Sequence, residues 1–105
     1  MPRFNYVIYQ VNVEVEFSFM DWDWAEQHDW SFNRYHSVWN GTEKAKSLPS
    51  LLESLFRTFN LTPPKGYRAH SMSISDVVRI DDENNNTKYY YCDSIGWVDI
   101  TRKVL

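Results

Sequence analysis

The sequence predicts an α+β domain of two layers, a mostly antiparallel sheet packed against one main helix (47–60), with a short second helix or loop near 21–30. Three observations lead there. Apolar residues alternate with polar ones from Val7 to Phe19, which is the period of a strand. From Ser47 to Asn60 they recur instead at i, i+3, i+4 and i+7, the period of a helix with one buried face. After Pro64, short alternating stretches are separated by polar turn residues, as in a meander. A chain of 105 residues supplies one core, because a second would need roughly 50 residues of its own. Residues 1–105 are therefore expected to fold as a single domain.

In the first element Val7, Tyr9, Val11, Val13, Val15, Phe17 and Phe19 take the odd positions, and Gln10, Asn12, Glu14, Glu16 and Ser18 the even ones. Neither Gly nor Pro interrupts, so the pattern predicts one long strand, with or without a bulge, that buries its odd face. Asp21 follows as the N-cap of a short helix with Trp24, Gln27 and His28 on one side. Tyr35–Trp39 reads as a short strand closed by an Asn40-Gly41 turn. In the main helix Leu48, Leu51, Leu52, Leu55, Phe56 and Phe59 form the buried face. Ser47 or Ser50 caps its start, Pro49 fits its first turn, and the Ser50/Glu53 spacing allows a capping box. At its end Asn60 is expected in the left-handed position, and Pro63-Pro64 forbids continuation. Met72, Ile74, Val78 and Ile80 then share a strand face, Asp81–Thr87 forms a polar loop returning into Lys88–Cys92, and Gly96 precedes a last strand over Trp97–Ile100.

Composition narrows the setting. With 43% hydrophobic and 17% aromatic residues, the chain can fill a core, and overall disorder is excluded. The single Cys92 cannot form an intramolecular disulfide, and no basic, apolar leader opens the chain, so a cytoplasmic location is expected. No run approaches the roughly 18 apolar residues of a membrane span, and no membrane partner is expected. The sequons at Asn40, Asn60 and Asn85 read as turn or cap residues. The net charge of −3 conceals a segregation. Residues 1–30 carry Glu14, Glu16, Asp21, Asp23, Glu26 and Asp29 against Arg3, whereas residues 34–68 carry Arg34, Lys44, Lys46, Arg57, Lys65 and Arg68 against Glu43 and Glu53. Two faces of opposite potential are thus expected, suited to steering toward a charged partner.

No catalytic constellation emerges. Cys92 could act as a nucleophile only with His28, His36 or His70 beside it, and its hydrophobic strand context favours a small core residue. The three histidines lack close metal-ligand spacing, the three glycines make no phosphate loop, and no nucleophile elbow is present. Neither a cofactor nor enzymatic turnover is expected. Asp76 breaks the apolar phase of its strand, and an inward carboxylate must be partnered; hydroxyls of Ser71, Ser73 and Ser75 or local amides are available, giving Asp76, Ser73 and Ser75 a structural role in pinning a loop or bulge. The most unusual run is Asp21, Trp22, Asp23, Trp24, Glu26, Asp29 and Trp30. Rigid aromatics there would anchor a partner, and the spaced acids would stand in for nucleic-acid phosphates in a basic groove. The six bases from Arg34 to Arg68 offer the alternative of direct nucleic-acid contact.

Several of these stretches together resemble the YodL-like domain. They are Tyr6–Gln10, Phe19-Met20-Asp21, Tyr35–Gly41, the helix end Phe59-Asn60, above all His70–Val78 (HSMSISDVV), and Tyr90–Trp97, which is similar to the family's Asp-Ser-x-Gly-Phe ending. Ala69 stands where the family often has Gly, and Cys92 where Val is more usual. The resemblance implies an origin in phage-like or conjugative elements of Gram-positive bacteria, near antirestriction modules. A small, acidic version of this kind is also similar to anti-CRISPR proteins directed at Cas9. The expected function is therefore stoichiometric inhibition of a host defence nuclease, such as Cas9 or its guide complex, inside the bacterial cell. A nucleic-acid-binding or regulatory module and an antirestriction protein are the alternatives, and an edge strand could also support a homodimer.

Overall fold

The computed structural model describes residues 1–105. Its elements are β1 (Arg3–Val11), α1 (Trp22–Glu26), a 3-10 turn (Phe32–Arg34), β2 (Tyr35–Lys44), α2 (Leu48–Leu61), β3 (Val77–Asp81), β4 (Thr87–Cys92), β5 (Trp97–Asp99) and α3 (Thr101–Val104). The strands form one five-stranded antiparallel sheet in the order β2-β1-β3-β4-β5. A sheet of this kind with one main helix is an α+β fold.

The helix forms much as its sequence dictates. Ser47 caps it, accepting from Ser50 N at 3.3 Å, with Pro49 in the first turn. Leu51, Leu52, Leu55 and Phe59 are buried against Phe4, Tyr6, Ile8, Val78 and Ile80. Each such side chain withdrawn from water contributes about 1.5–3 kcal/mol. Its end differs from expectation. Asn60 stays helical and its Nδ2 donates to Phe56 O at 2.8 Å, so the helix runs one residue further, to Leu61, before the prolines stop it. With Ser47 as the cap, Ser50 lies inside the helix and the Ser50/Glu53 box does not form.

Three strand expectations are corrected. The predicted strand over Val7–Phe19 ends at Val11, and residues 12–20 make successive turns through Val15 N→Asn12 O, Ser18 N→Val15 O and Met20 N→Phe17 O. The buried odd phase does not persist: Val15 and Phe17 are buried by those turns, but Val13 and Phe19 are exposed. Nor is the odd face the one that meets the helix: Phe4, Tyr6 and Ile8 do so, while Val11 and Tyr9 look to the opposite face. Second, β2 does not turn at Asn40-Gly41 but runs ten residues through it. Gly41 pairs with Tyr6, and a Cβ there would lie 2.7 Å from Tyr6 Oη, so the glycine admits a ring and makes no turn. Third, Met72 and Ile74 precede β3, and Met72 reaches the helix-side core from a loop.

The opposite face of the sheet is filled by the chain between β1 and β2. Val15, Phe17, Trp22 and Ala25 join Val11, Val77, Tyr89, Tyr91 and Ile100 in a second cluster. A helix thus covers one face and an irregular aromatic segment covers part of the other.

Candidate functional site

Asp21 builds the start of the acidic segment: its side chain accepts from Trp24 N at 2.9 Å and caps α1. The tryptophans, however, point largely inward. Trp22 is buried and packs on Tyr91, with ring centroids 5.0 Å apart. Trp30 meets Trp22 edge-on at 5.1 Å, and its Nε1 donates to Tyr35 Oη at 3.0 Å. Trp24 is half-buried and stacks on His28 at 3.7 Å. Trp22 and Trp30 are therefore parts of a scaffold, and what they present to solvent is carboxylate. Of the six acids, Glu26 pairs with Lys103 at 3.3 Å and Asp21 is the cap. Glu14, Glu16, Asp23 and Asp29 are exposed, and their carboxylates have no hydrogen-bonding or ionic partner in the chain. Glu14, Glu16 and Asp29 line one concavity of about 340 Å³ with His28 and Arg34.

The six bases do not make one face. Arg34 lies among the acids just named, which corrects its expected place in the basic patch. Lys44, Lys46 and Arg57 share a groove of about 560 Å³ with Glu43 and Glu53, where β2 runs into α2. Lys65 and Arg68 stand exposed on the loop after α2. Linear segregation of charge is thus only partly preserved, because β2 and α2 bring acids into the basic stretch and the 3-10 turn returns Arg34 to the acidic one.

Asp76 is buried, as its place in the apolar phase demands. Of the partners expected, a local amide reaches it and no serine hydroxyl does: Oδ2 accepts from Ser73 N at 2.9 Å and, from a distant strand, from Gln10 Nε2 at 3.0 Å. Burial raises its pKa to about 7, against the opposing effects of the Ser73 amide, the Gln10 amide and His70. Gln10 also donates to His70 O at 3.0 Å, and Tyr67 Oη donates to the same carbonyl at 2.7 Å. Ser73 Oγ turns back to Ser71 O. Ser75 is buried at φ 88°, its Oγ accepts from Phe19 N at 3.0 Å, and its carbonyl accepts from Tyr35 Oη at 2.6 Å. The serine-rich loop therefore ties both sheet faces together. Gln10, Tyr67 and Tyr35 were missed as members of this network. Gln10 sat in the polar phase of an alternation, where its burial leaves no signal.

Cys92 is buried, and its thiol is pushed up to about 12 by that burial, then by Asp76 and Asp93, the reverse of what a nucleophile needs. All three histidines are exposed, with His28 Nδ1 and His70 Nδ1 each 2.7 Å from a local carbonyl. No three His, Cys, Asp or Glu side chains converge as a metal site. No helix is long and apolar enough to cross a membrane.

These features define an α+β domain whose exposed chemistry is charge on a rigid aromatic frame. The family model of the YodL-like domain matches residues 5–102, and the chain belongs to that family. No curated protein and no solved structure matches it. Residues 70–76 form the loop organised by Asp76, and Asp93 accepts from Trp22 N at 3.0 Å.

Proposed function

We propose that this domain acts by stoichiometric binding, not turnover, and that it inhibits a bacterial defence nuclease by presenting carboxylates to the nuclease's nucleic-acid-binding groove. The observation that carries this reading is the set of four unpartnered carboxylates, Glu14, Glu16, Asp23 and Asp29, on a segment anchored by Trp22, Phe17 and Trp30. A pre-ordered anionic surface needs little further ordering to bind a cationic groove, and its attraction weakens with salt. Cas9 or its guide-RNA complex is the first target, a restriction enzyme the second, in keeping with the mobile-element setting that the YodL-like family implies.

The test is a cleavage assay with equimolar protein, paired with co-purification across a salt series. Retention at low salt and loss of cleavage are expected, with both abolished in an E14Q/E16Q/D23N/D29N variant. Undiminished cleavage by Cas9 and by restriction enzymes at molar excess of protein overturns the proposal. A second reading, direct nucleic-acid binding, is favoured by one observation, the gathering of Lys44, Lys46 and Arg57 in a single groove. It requires a gel-shift complex that dissociates steeply with salt and is lost in K44Q/K46Q/R57Q.

A further inference from the structure

The stretch from Arg68 to Ile74 covers Asp76 with few ties to the rest of the fold. Its two ends are fixed. The Tyr67 ring packs edge-on against Trp39 and Phe59, and Ser75 N donates to Cys92 O at 2.9 Å. Between those ends no backbone group bonds to the backbone of a strand or helix. The stretch is held by the buried Met72 side chain, by a contact of the His70 ring with Phe19, and by two polar ties. Gln10 Nε2 donates to His70 O at 3.0 Å, and Asp76 Oδ2 accepts from Ser73 N at 2.9 Å. Because the same Oδ2 also accepts from Gln10 Nε2 at 3.0 Å, both polar ties depend on one carboxyl group.

That carboxyl is poorly placed to carry a charge. Asp76 is only 1% exposed. The titratable groups facing it are His70 and Tyr67 from the loop, Tyr35 from the start of β2, and Tyr91 and Cys92 from β4; no lysine or arginine is among them. Burial raises the phenols and the thiol, which therefore stay neutral, and leaves the exposed His70 as the one group able to offset a negative charge. The Ser73 and Gln10 donors favour the ionised form, but burial outweighs them. Asp76 Oδ1 accepts from nothing in the chain, and no partnerless buried side-chain oxygen is sealed from solvent, so it keeps a point of contact through which the proton can pass to water. Ionisation then leaves a buried charge without a cation, which is costly unless water reaches it. The cover with the fewest ties, and so the first to move, is the stretch over it.

We propose that residues 68–74 form a pH-operated flap, closed over Asp76 while its carboxyl is protonated and lifted away, with Met72 leaving the helix-side core, when the carboxyl ionises. The closed form holds its proton up to about pH 7, against 3.8 for an ordinary aspartate, so the flap is shut in acid and loosens as pH rises through neutrality. Its movement is a property of the chain alone, so its failure and that of the proposed inhibition are separable.

Nuclear magnetic resonance of the full chain, titrated from about pH 5 to about pH 9 at constant salt, tests it. The Asp76 carboxyl carbon, the Ser73 amide and the Met72 methyl should shift with one common midpoint near neutrality. The last two should move toward the values of an unstructured chain, while amides of α2, β3 and β4 stay in place. In Asp76→Asn, which has no proton to lose, the loop signals should keep their acid positions throughout. In His70→Gln they should still move, which excludes titration of the imidazole as the cause. Should Asp76→Asn fail to fold, the common midpoint in the wild type and in His70→Gln decides. A Met72 methyl that stays put while the Asp76 carbon titrates overturns the proposal, as does a loop transition that survives in Asp76→Asn, vanishes in His70→Gln or is shared by the whole core.

Discussion

On the helix side of the sheet, four apolar residues of α2 lie across Tyr6, Ile8, Val78 and Ile80; on the other side, turns between β1 and β2 lay Val15, Phe17, Trp22 and Ala25 over Val77, Tyr89 and Tyr91. The first layer, three leucines and Phe59, is continuous and bonded within its own helix. The second has little internal backbone bonding, a helix of only five residues, and polar ties to distant parts of the chain, such as Phe19 N donating to Ser75 Oγ at 3.0 Å and Tyr91 Oη of β4 donating to Met20 O at 2.7 Å. A regular element brings its own hydrogen bonds into the core, whereas an irregular one must find them elsewhere. The aromatic layer therefore depends on the serine-rich loop as much as on apolar burial.

The comparison can be broken most severely on the helix side. Leu55→Ala leaves a cavity beneath α2 and should cost about 4 kcal/mol in global stability, measured by chemical denaturation. Next comes the junction. Asp76 has an ordinary pKa of 3.8 and a folded value of about 7, so between these the folded chain holds a proton that the unfolded chain lacks. Stability should fall as pH rises from about 4 to about 7 and level off above, by roughly 4 kcal/mol in all. Asp76→Asn keeps an acceptor oxygen for Gln10 and Ser73 and should flatten that slope in denaturation curves recorded across pH.

On the aromatic side Trp22→Ala should cost about 2–3 kcal/mol, less than a tryptophan in a continuous core, because the 12–34 segment can detach locally. Hydrogen exchange would show amides of 12–34 losing protection while those of β1 and β3 keep theirs; uniform loss would mean one cooperative core. Tyr35→Phe removes the donor to Ser75 O and the acceptor of Trp30 Nε1, for about 1 kcal/mol. The E14Q/E16Q/D23N/D29N variant should shift stability by less than about 0.5 kcal/mol, since none of the four carboxylates has a partner in the chain.

What was legible in the sequence follows the same division. The period of Leu51, Leu52, Leu55 and Phe59, the Ser47 cap and the prolines after Leu61 specify α2 locally, because a helix satisfies its backbone within itself. Asp21 as a cap and Asp76 as a buried carboxylate were legible for the same reason, each being a mismatch or a signal within a few residues. The length of β1, the passage of β2 through Gly41, the burial of Gln10 and the inward packing of Trp22 and Trp30 were decided only by the tertiary structure. A strand's partners and a turn's burial are set by residues far away in the chain: Tyr6 for Gly41, Asp76 for Gln10, Tyr91 for Trp22. The candidate site divides likewise, since the sequence supplied its carboxylates, while the fold decided which of them stay unpaired and where Arg34 falls among them.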